Sequence, residues 1–197
     1  MKLYYAPGAC SMADHIALHE AGLTFTHERV DLKTGKTEHG KDFTEINPKG
    51  YVPALELDGG ELLTENVAIL EWIGQQAPQL VAEGPLGRTR TLEKLAFVTS
   101  ELHKNFAAFF GGASDDQKQK AADQLTKRFG QIAETIQGPF LFGDRFTVAD
   151  AYLFVVSTWT DHFDLELPAK LQDFRQQVAQ RPAVRKAMEH EGLLEKS

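Results

Sequence analysis

The chain has one cysteine, Cys10, between a Pro7-Gly8 turn and a helical pattern that starts at Ser11. A thiol there faces the unpaired backbone N–H groups of a first helical turn and the positive end of the helix dipole. Both favour the thiolate, which is the nucleophilic form. The position therefore favours a reactive Cys10, the alternative being a small buried hydrophobe, with Ser11 beside it as an alternative hydroxyl donor to a bound thiolate. Tyr5, just upstream, is a further candidate hydroxyl donor. Ala13 stands where a C-x-x-C pair would place its second thiol. A dithiol relay within the chain is excluded, and any redox cycle needs an external thiol.

Three other places carry chemistry-bearing residues. Glu65-Asn66 follows Thr64 at the start of a helical run. Free N–H groups and a carboxylate at that point suit a ligand with both carboxylate and ammonium groups. Val52-Pro53 precedes a strand pattern, where a proline marks the strand's start because it cannot donate to a ladder. His103 sits in a long helical run, and Ser100, His103, Lys104 and Ala107 share a face at 3.6-residue spacing. Lys33, Lys36 and Lys41 lie in an open loop. His15 and His19 are four apart, but no third ligand is near them in sequence and no H-E-x-x-H stands in the chain, so no metal site is expected. Nucleotide-binding glycine motifs and the G-x-S-x-G elbow are absent from the sequence.

The elements that must position these residues fall into two textures. Lys2–Tyr5 reads as a strand, Ser11–Ala21 as a helix ending at Gly22, and Phe25–Val30 as a second strand, together a β-α-β unit with parallel strands. Residues 31–52 are weakly patterned, with a short helix near 41–46. Two alternating runs around Asp58-Gly59-Gly60 read as a hairpin. A helix from Glu65 to Ala77 follows. This is an α/β order, βαβ then ββα, with a mixed four-stranded sheet over residues 1–80. After a Pro/Gly linker, residues 87–197 read as all-α, with long runs at 88–110, 117–136 and 148–159 and shorter ones at 168–180 and 183–190. Within Gly143-Asp144-Arg145-Phe146-Thr147-Val148-Ala149-Asp150, Thr147 is a helix N-cap and Asp150 reaches back to it, a structural capping box.

Composition bounds the rest. The chain has 197 residues, of which 42% are hydrophobic and 25% charged, so it can fold without staples. A net charge of −7 argues against binding a phosphate backbone. The longest apolar run falls far short of the ~20 residues of a membrane helix. The amino terminus does not read as a signal peptide. These features predict a soluble cytoplasmic protein with a reduced thiol, no nucleic acid and no membrane.

The stretches MKLYYAPGACS, ERVDLKTGKTEHGKDFTEINPKGYVPALEL, LLTENVAIL, SELHK and GDRFTVADAYLF together resemble bacterial beta-class glutathione S-transferases. They cover nearly the whole chain in family order. The resemblance implies a thioredoxin-like domain that binds glutathione and a helical domain that completes the electrophile site. Cys10 matches the cysteine that contacts the glutathione sulfur, and His103 the histidine that reaches it from the helical domain. Val52 matches the residue whose backbone pairs with the ligand, and Pro53 the family's cis-proline. Glu65 and Asn66 match the pair that holds the γ-glutamyl group, where the family often has serine at the second place. Lys104 matches the lysine near the glycine end. Some members carry a contacting lysine where this chain has Gly35, with Lys36 adjacent and Lys33 two back as the candidate substitutes, and an asparagine where it has Ala96.

The resemblance implies a homodimeric transferase that joins the glutathione thiol to small hydrophobic electrophiles in detoxification. Glutathione is then a co-substrate, with no tightly bound cofactor. Two rivals remain at this point. One is a glutathione-dependent thiol-disulfide oxidoreductase or peroxidase using Cys10. The other is a non-catalytic binder of hydrophobic ligands.

Overall fold

The computed structural model describes residues 1–194. They separate into two compact units. One is Met1–Pro78 together with the chain from Arg181 onward, and the other is Gln79–Gln180.

The sheet unit begins with β1 (Lys2–Tyr5), α1 (Ser11–Glu20), β2 (Thr26–Asp31) and β3 (Lys36–Thr37). It continues with β4 (Ala54–Glu56), β5 (Leu62–Thr64) and α2 (Asn66–Gln76). The strand order is β3-β2-β1-β4-β5. β1 and β2 are parallel, with Leu3 opposite His27, as the right-handed β-α-β rule requires. β4 lies antiparallel to β1, and β5 antiparallel to β4 through the expected Gly59-Gly60 turn. The sheet has five strands where four were expected. The extra one is β3, two residues that fold back antiparallel on β2. A two-residue strand leaves no alternation to read.

α1 is buried from Ser11 to Leu18, on every face of the helix. It packs against β1, α2 and α8 (Pro182–His190). Leu3, Ile16, Leu18, Leu55, Ile69, Leu70 and Ile73 are fully buried, each stabilising by roughly 1.5–3 kcal/mol. Gly22 ends α1 with a positive φ of 66°. Leu23 N–H then donates to Leu18 O and Gly22 N–H to His19 O, a Schellman closure. α8 was expected to belong with the helical half, yet it groups with the sheet unit. Its Val184 and Ala187 are fully buried, and such a short apolar stripe does not name its partner in the sequence.

The helical unit contains α3 (Gly87–Phe97), α4 (Lys104–Phe110), α5 (Asp115–Ala133), α6 (Val148–Thr158) and α7 (Ala169–Ala179). A π-helical segment, Val98–His103, joins α3 to α4, so the expected 88–110 helix is interrupted. α6 is buried along Val148–Ser157 and forms the centre. Asp150 accepts from Thr147 N at 2.7 Å, from Thr147 Oγ1 at 2.6 Å and from Leu141 N at 2.8 Å. The expected capping box is present, and it also pins the loop before α6. Among the described residues no helix is long and apolar enough to cross a membrane.

Candidate functional site

In the sheet unit the turn after β1 carries Cys10. Ala9 N–H donates to Ala6 O, and Ser11 Oγ accepts from Ala6 N at 3.1 Å and donates to Ala6 O at 3.4 Å. Ser11 therefore closes its own turn, and its hydroxyl is not directed to a ligand. Cys10 is 9% exposed, and its Sγ donates to Val52 O at 3.5 Å. The Val52-Pro53 bond is cis. Two segments far apart in sequence thus meet at the thiol.

The thiol is not the thiolate that its place in the turn predicts. Burial and then the Asp14 carboxyl push its pKa up to about 12. The helix N-terminus does lower it through backbone N–H groups, but desolvation is larger. Cys10 is a neutral hydrogen-bond donor at neutral pH.

The third segment is Glu65-Asn66. Asn66 is buried, and its Nδ2 donates to Cys10 O at 2.9 Å and to Asp14 Oδ2 at 2.8 Å. Both amide hydrogens are thereby used. Asn66 ties the start of α2 to the start of α1, and only its backbone N–H and Oδ1 remain for a ligand. Glu65, at the cap position instead of Thr64, has φ 74°. A non-glycine residue in that region costs on the order of 1–3 kcal/mol and such outliers cluster at functional sites. Its carboxylate accepts from Tyr51 OH at 2.7 Å and pairs with Lys49. These two partners hold its pKa below the ordinary value. The result is a fixed anion beside the open N–H groups of a helix start. Neither Lys49 nor Tyr51 was singled out from the sequence, because their role depends on a loop fold that brings residue 49 to residue 65.

Tyr5 lies elsewhere. Its ring is buried against His15 and His27, and its OH donates to His190 O at 3.4 Å. Lys36 is an exposed residue of β3. His15 Nδ1 meets Glu191 Oε1 at 3.0 Å, and Glu191 Oε2 accepts from Gly8 N at 2.8 Å. Burial pushes His15 down to about 3 and Glu191 up to about 8. His27 and His190 join His15 in a three-histidine group. The sequence placed no third histidine near His15 and His19, and it is the fold that brings His27 and His190 to His15.

In the helical unit His103 ends the π segment. Its Nδ1 lies 2.6 Å from Tyr152 OH, which is 2.9 Å from Thr99 Oγ1. Its ring sits edge-on to Trp159 with centroids 4.9 Å apart. Burial lowers its pKa, so it is neutral imidazole at pH 7. Tyr152, which the sequence did not single out, orients this ring. A π segment is wound wider than 3.6 residues per turn. The face expected to join Ser100 to Lys104 and Ala107 therefore does not run through it. Ser100 Oγ turns to Glu101 at 3.4 Å, and Lys104 is exposed. Phe106 and Trp159 are buried, Phe109 and Phe163 are half-buried, and Phe110 is 61% exposed. Together these rings form an apolar wall with one open edge. Ala96 instead lines a groove of about 420 Å³ on α3 with Leu86, Thr89, Arg90, Leu92 and Glu93.

Comparison with known proteins meets this geometry. The model of the glutathione S-transferase N-terminal domain matches residues 9–76, and that of the C-terminal domain matches residues 92–182. The chain is 42% identical over 200 residues to glutathione S-transferase GstA of Escherichia coli O157:H7, covering 98% of this chain and 100% of the relative. A sphingomonad glutathione S-transferase solved in complex with glutathione is 44% identical, with a TM-score of 0.91 over 98% of this chain and 100% of that one. The bacterial beta-class enzyme of Sphingomonas chungbukensis is 43% identical, with a TM-score of 0.90 and the same coverage.

Proposed function

The chain belongs to the glutathione S-transferase family, and on that premise we propose that it joins the glutathione thiol to small hydrophobic electrophiles. It is an enzyme of that superfamily, close in sequence and structure to the bacterial beta class. The observation that carries the reading is the meeting of three segments at one residue, Cys10. Cys10 Sγ bonds Val52 O, the Val52-Pro53 bond is cis, and Asn66 bonds Cys10 O.

In this reading the Val52 backbone pairs with glutathione in an extended conformation, as an added strand does. Glu65 holds the ammonium of the γ-glutamyl group, while the N–H groups at the start of α2 hold its carboxylate. Lys104 and Lys36 are the lysines assigned to the glycine end. Cys10, neutral, donates a hydrogen bond to the glutathione thiolate and is not itself the nucleophile. That bond, together with the N–H groups of α1, favours the thiolate of the ligand. Lowering a thiol pKa by two units needs about 2.7 kcal/mol of preferential stabilisation, within reach of a few such donors. The resemblance assigns His103, neutral and held by Tyr152, to a second polar contact with the thiol. The aromatic wall around Phe110 supplies the apolar surface for the electrophile.

The protein is proposed to act in the cytoplasm as a homodimer. Leu86 and Leu92, 59% and 39% exposed on the helical unit, support a covered surface there. Light scattering tests it, and a mass near 21.9 kDa at micromolar concentration would refute it.

The test of function is conjugation of glutathione to a chloronitroaromatic, run beside reduction of hydroxyethyl disulfide, for wild type and Cys10→Ala. Conjugation that saturates with glutathione and survives the substitution is expected. Background conjugation, with disulfide reduction that vanishes in Cys10→Ala, would overturn the reading in favour of a thiol-transfer enzyme.

A further inference from the structure

The sheet unit holds a second group of side chains that the proposed chemistry does not use. His15 is on α1, His27 on β2, and His190 is the last residue of α8. One ring nitrogen of each lies within 4.8 Å of the other two. His15 Nε2 and His190 Nδ1 are 3.3 Å apart. Two nitrogens at about 2.05 Å from a tetrahedral Zn²⁺ are separated by roughly 3.3 Å. The three ring centroids are 4.7, 5.2 and 5.5 Å apart, with the His27 and His190 rings stacked, so the three rings pack as one group with a nitrogen of each near the other two.

A hydrogen bond between two histidines would account for the 3.3 Å separation. It would not account for the third ring. Among the described residues no hydrogen bond engages a ring nitrogen of His27, although that ring is half-buried within the group. His15 is also preset as a ligand. Its Nδ1 is held by the Glu191 carboxyl, which leaves Nε2 directed at the other two rings. A carboxyl fixed behind a ligating imidazole is the usual support of a metal-bound histidine. Glu191 is itself anchored by Gly8 N–H.

Exposure rises across the group. His15 is buried, His27 half-buried and His190 exposed. An ion can enter from the His190 side and keep a water there. Three imidazoles with no carboxylate in the set fit a borderline ion and do not fit Ca²⁺ or Mg²⁺. We propose that His15, His27 and His190 bind one borderline divalent transition metal ion, of the Zn²⁺ class, with water in the fourth position. The ion would clamp α8 to α1 and β2. It stands apart from the thiol chemistry and does not depend on it.

The test uses the whole protein, stripped with a chelator and dialysed. Zn²⁺ is titrated by calorimetry and Co²⁺ by visible absorption. One equivalent per chain, a four-coordinate Co²⁺ spectrum and a higher Tm in Zn²⁺ are expected. His190→Ala and His27→Ala should each weaken Zn²⁺ binding about tenfold or more, an easily read difference. Cys10→Ala and His162→Ala should bind as wild type does. His190 is exposed, so its variant keeps the fold and decides the matter if His27→Ala does not. Wild-type affinity in His190→Ala, loss of binding in Cys10→Ala, or no saturation at micromolar Zn²⁺ would overturn the proposal.

Discussion

The neutral state of Cys10 makes a numerical claim about its reactivity. The perturbation is alkylation by iodoacetamide across pH. With the pKa pushed up to about 12, the thiolate fraction at pH 7.5 is roughly 3 × 10⁻⁵. An ordinary cysteine, near 8.5, is about one-tenth ionised there, roughly 3,000 times more. The more basic thiolate is intrinsically the better nucleophile, by about 40-fold for a Brønsted slope near 0.45. The net expectation is alkylation about 100-fold slower than that of an unfolded cysteine peptide, and slower still because the sulfur is buried. The chain has one cysteine, so intact mass reports the reaction without digestion. The rate should climb about tenfold per pH unit from 7 to 10 without levelling. Asp14→Asn removes the second cause of the shift and should speed the reaction. A profile that levels off at or below pH 8.5 would refute the reasoning. It would mean that the helix N-terminus wins over burial, and it would return Cys10 to the role of nucleophile.

Three further outcomes follow from single groups. Asp150→Ala strands the buried N–H groups of Thr147 and Leu141, at about 1–3 kcal/mol each. Tm should fall roughly 8–15 °C by scanning fluorimetry, and a fall under about 3 °C would show that the box does not hold α6. Glu65→Gln removes the charge proposed to hold the ligand ammonium, a contact worth about 1.5–3 kcal/mol. KM for glutathione should rise about tenfold or more with kcat little changed, and an unchanged KM would remove Glu65 from the site. Tyr152→Phe deletes the hydroxyl that orients His103, a hydrogen bond of about 1 kcal/mol. Steady-state kinetics should show kcat down about fivefold with glutathione affinity retained. Equal loss in both, or none, would deny Tyr152 its positioning role.

What the sequence discloses follows from the range of the interaction involved. Local patterns were legible. The β-α-β order, the Gly59-Gly60 hairpin and the Thr147-Asp150 box each arise within a few residues of chain, and each is present. Features that need two distant segments were not. The fixed anion at Glu65 depends on Lys49 and Tyr51, and the orientation of His103 on Tyr152. The electrostatics of Cys10 went astray for the same reason. Its place before a helix is local and reads as activating, while the burial that overrides it comes from long-range packing. β3 and the π segment were missed on other grounds, one being too short for a pattern and the other lying inside a pattern that continues on both sides.

α1 shows how these pieces depend on one another. It is buried on all sides, yet Ser11, Asp14 and His15 are polar and fully buried within it. Unpaired, such groups would each cost on the order of 1–3 kcal/mol, so solubility does not explain them. Each one instead reaches a segment that positions the thiol. Ser11 closes the turn at Ala6, and Asp14 accepts from Asn66 at the start of α2. His15 meets Glu191, which holds Gly8. The helix therefore anchors the Cys10 turn from two sides and ties it to the segment carrying Glu65. An apolar α1 would pack at least as well, but it would leave the turn and the start of α2 without a common reference. The buried polar groups fix the relative placement of Cys10 and Glu65, which is what a site for a ligand with a thiol at one end and an amino acid at the other requires.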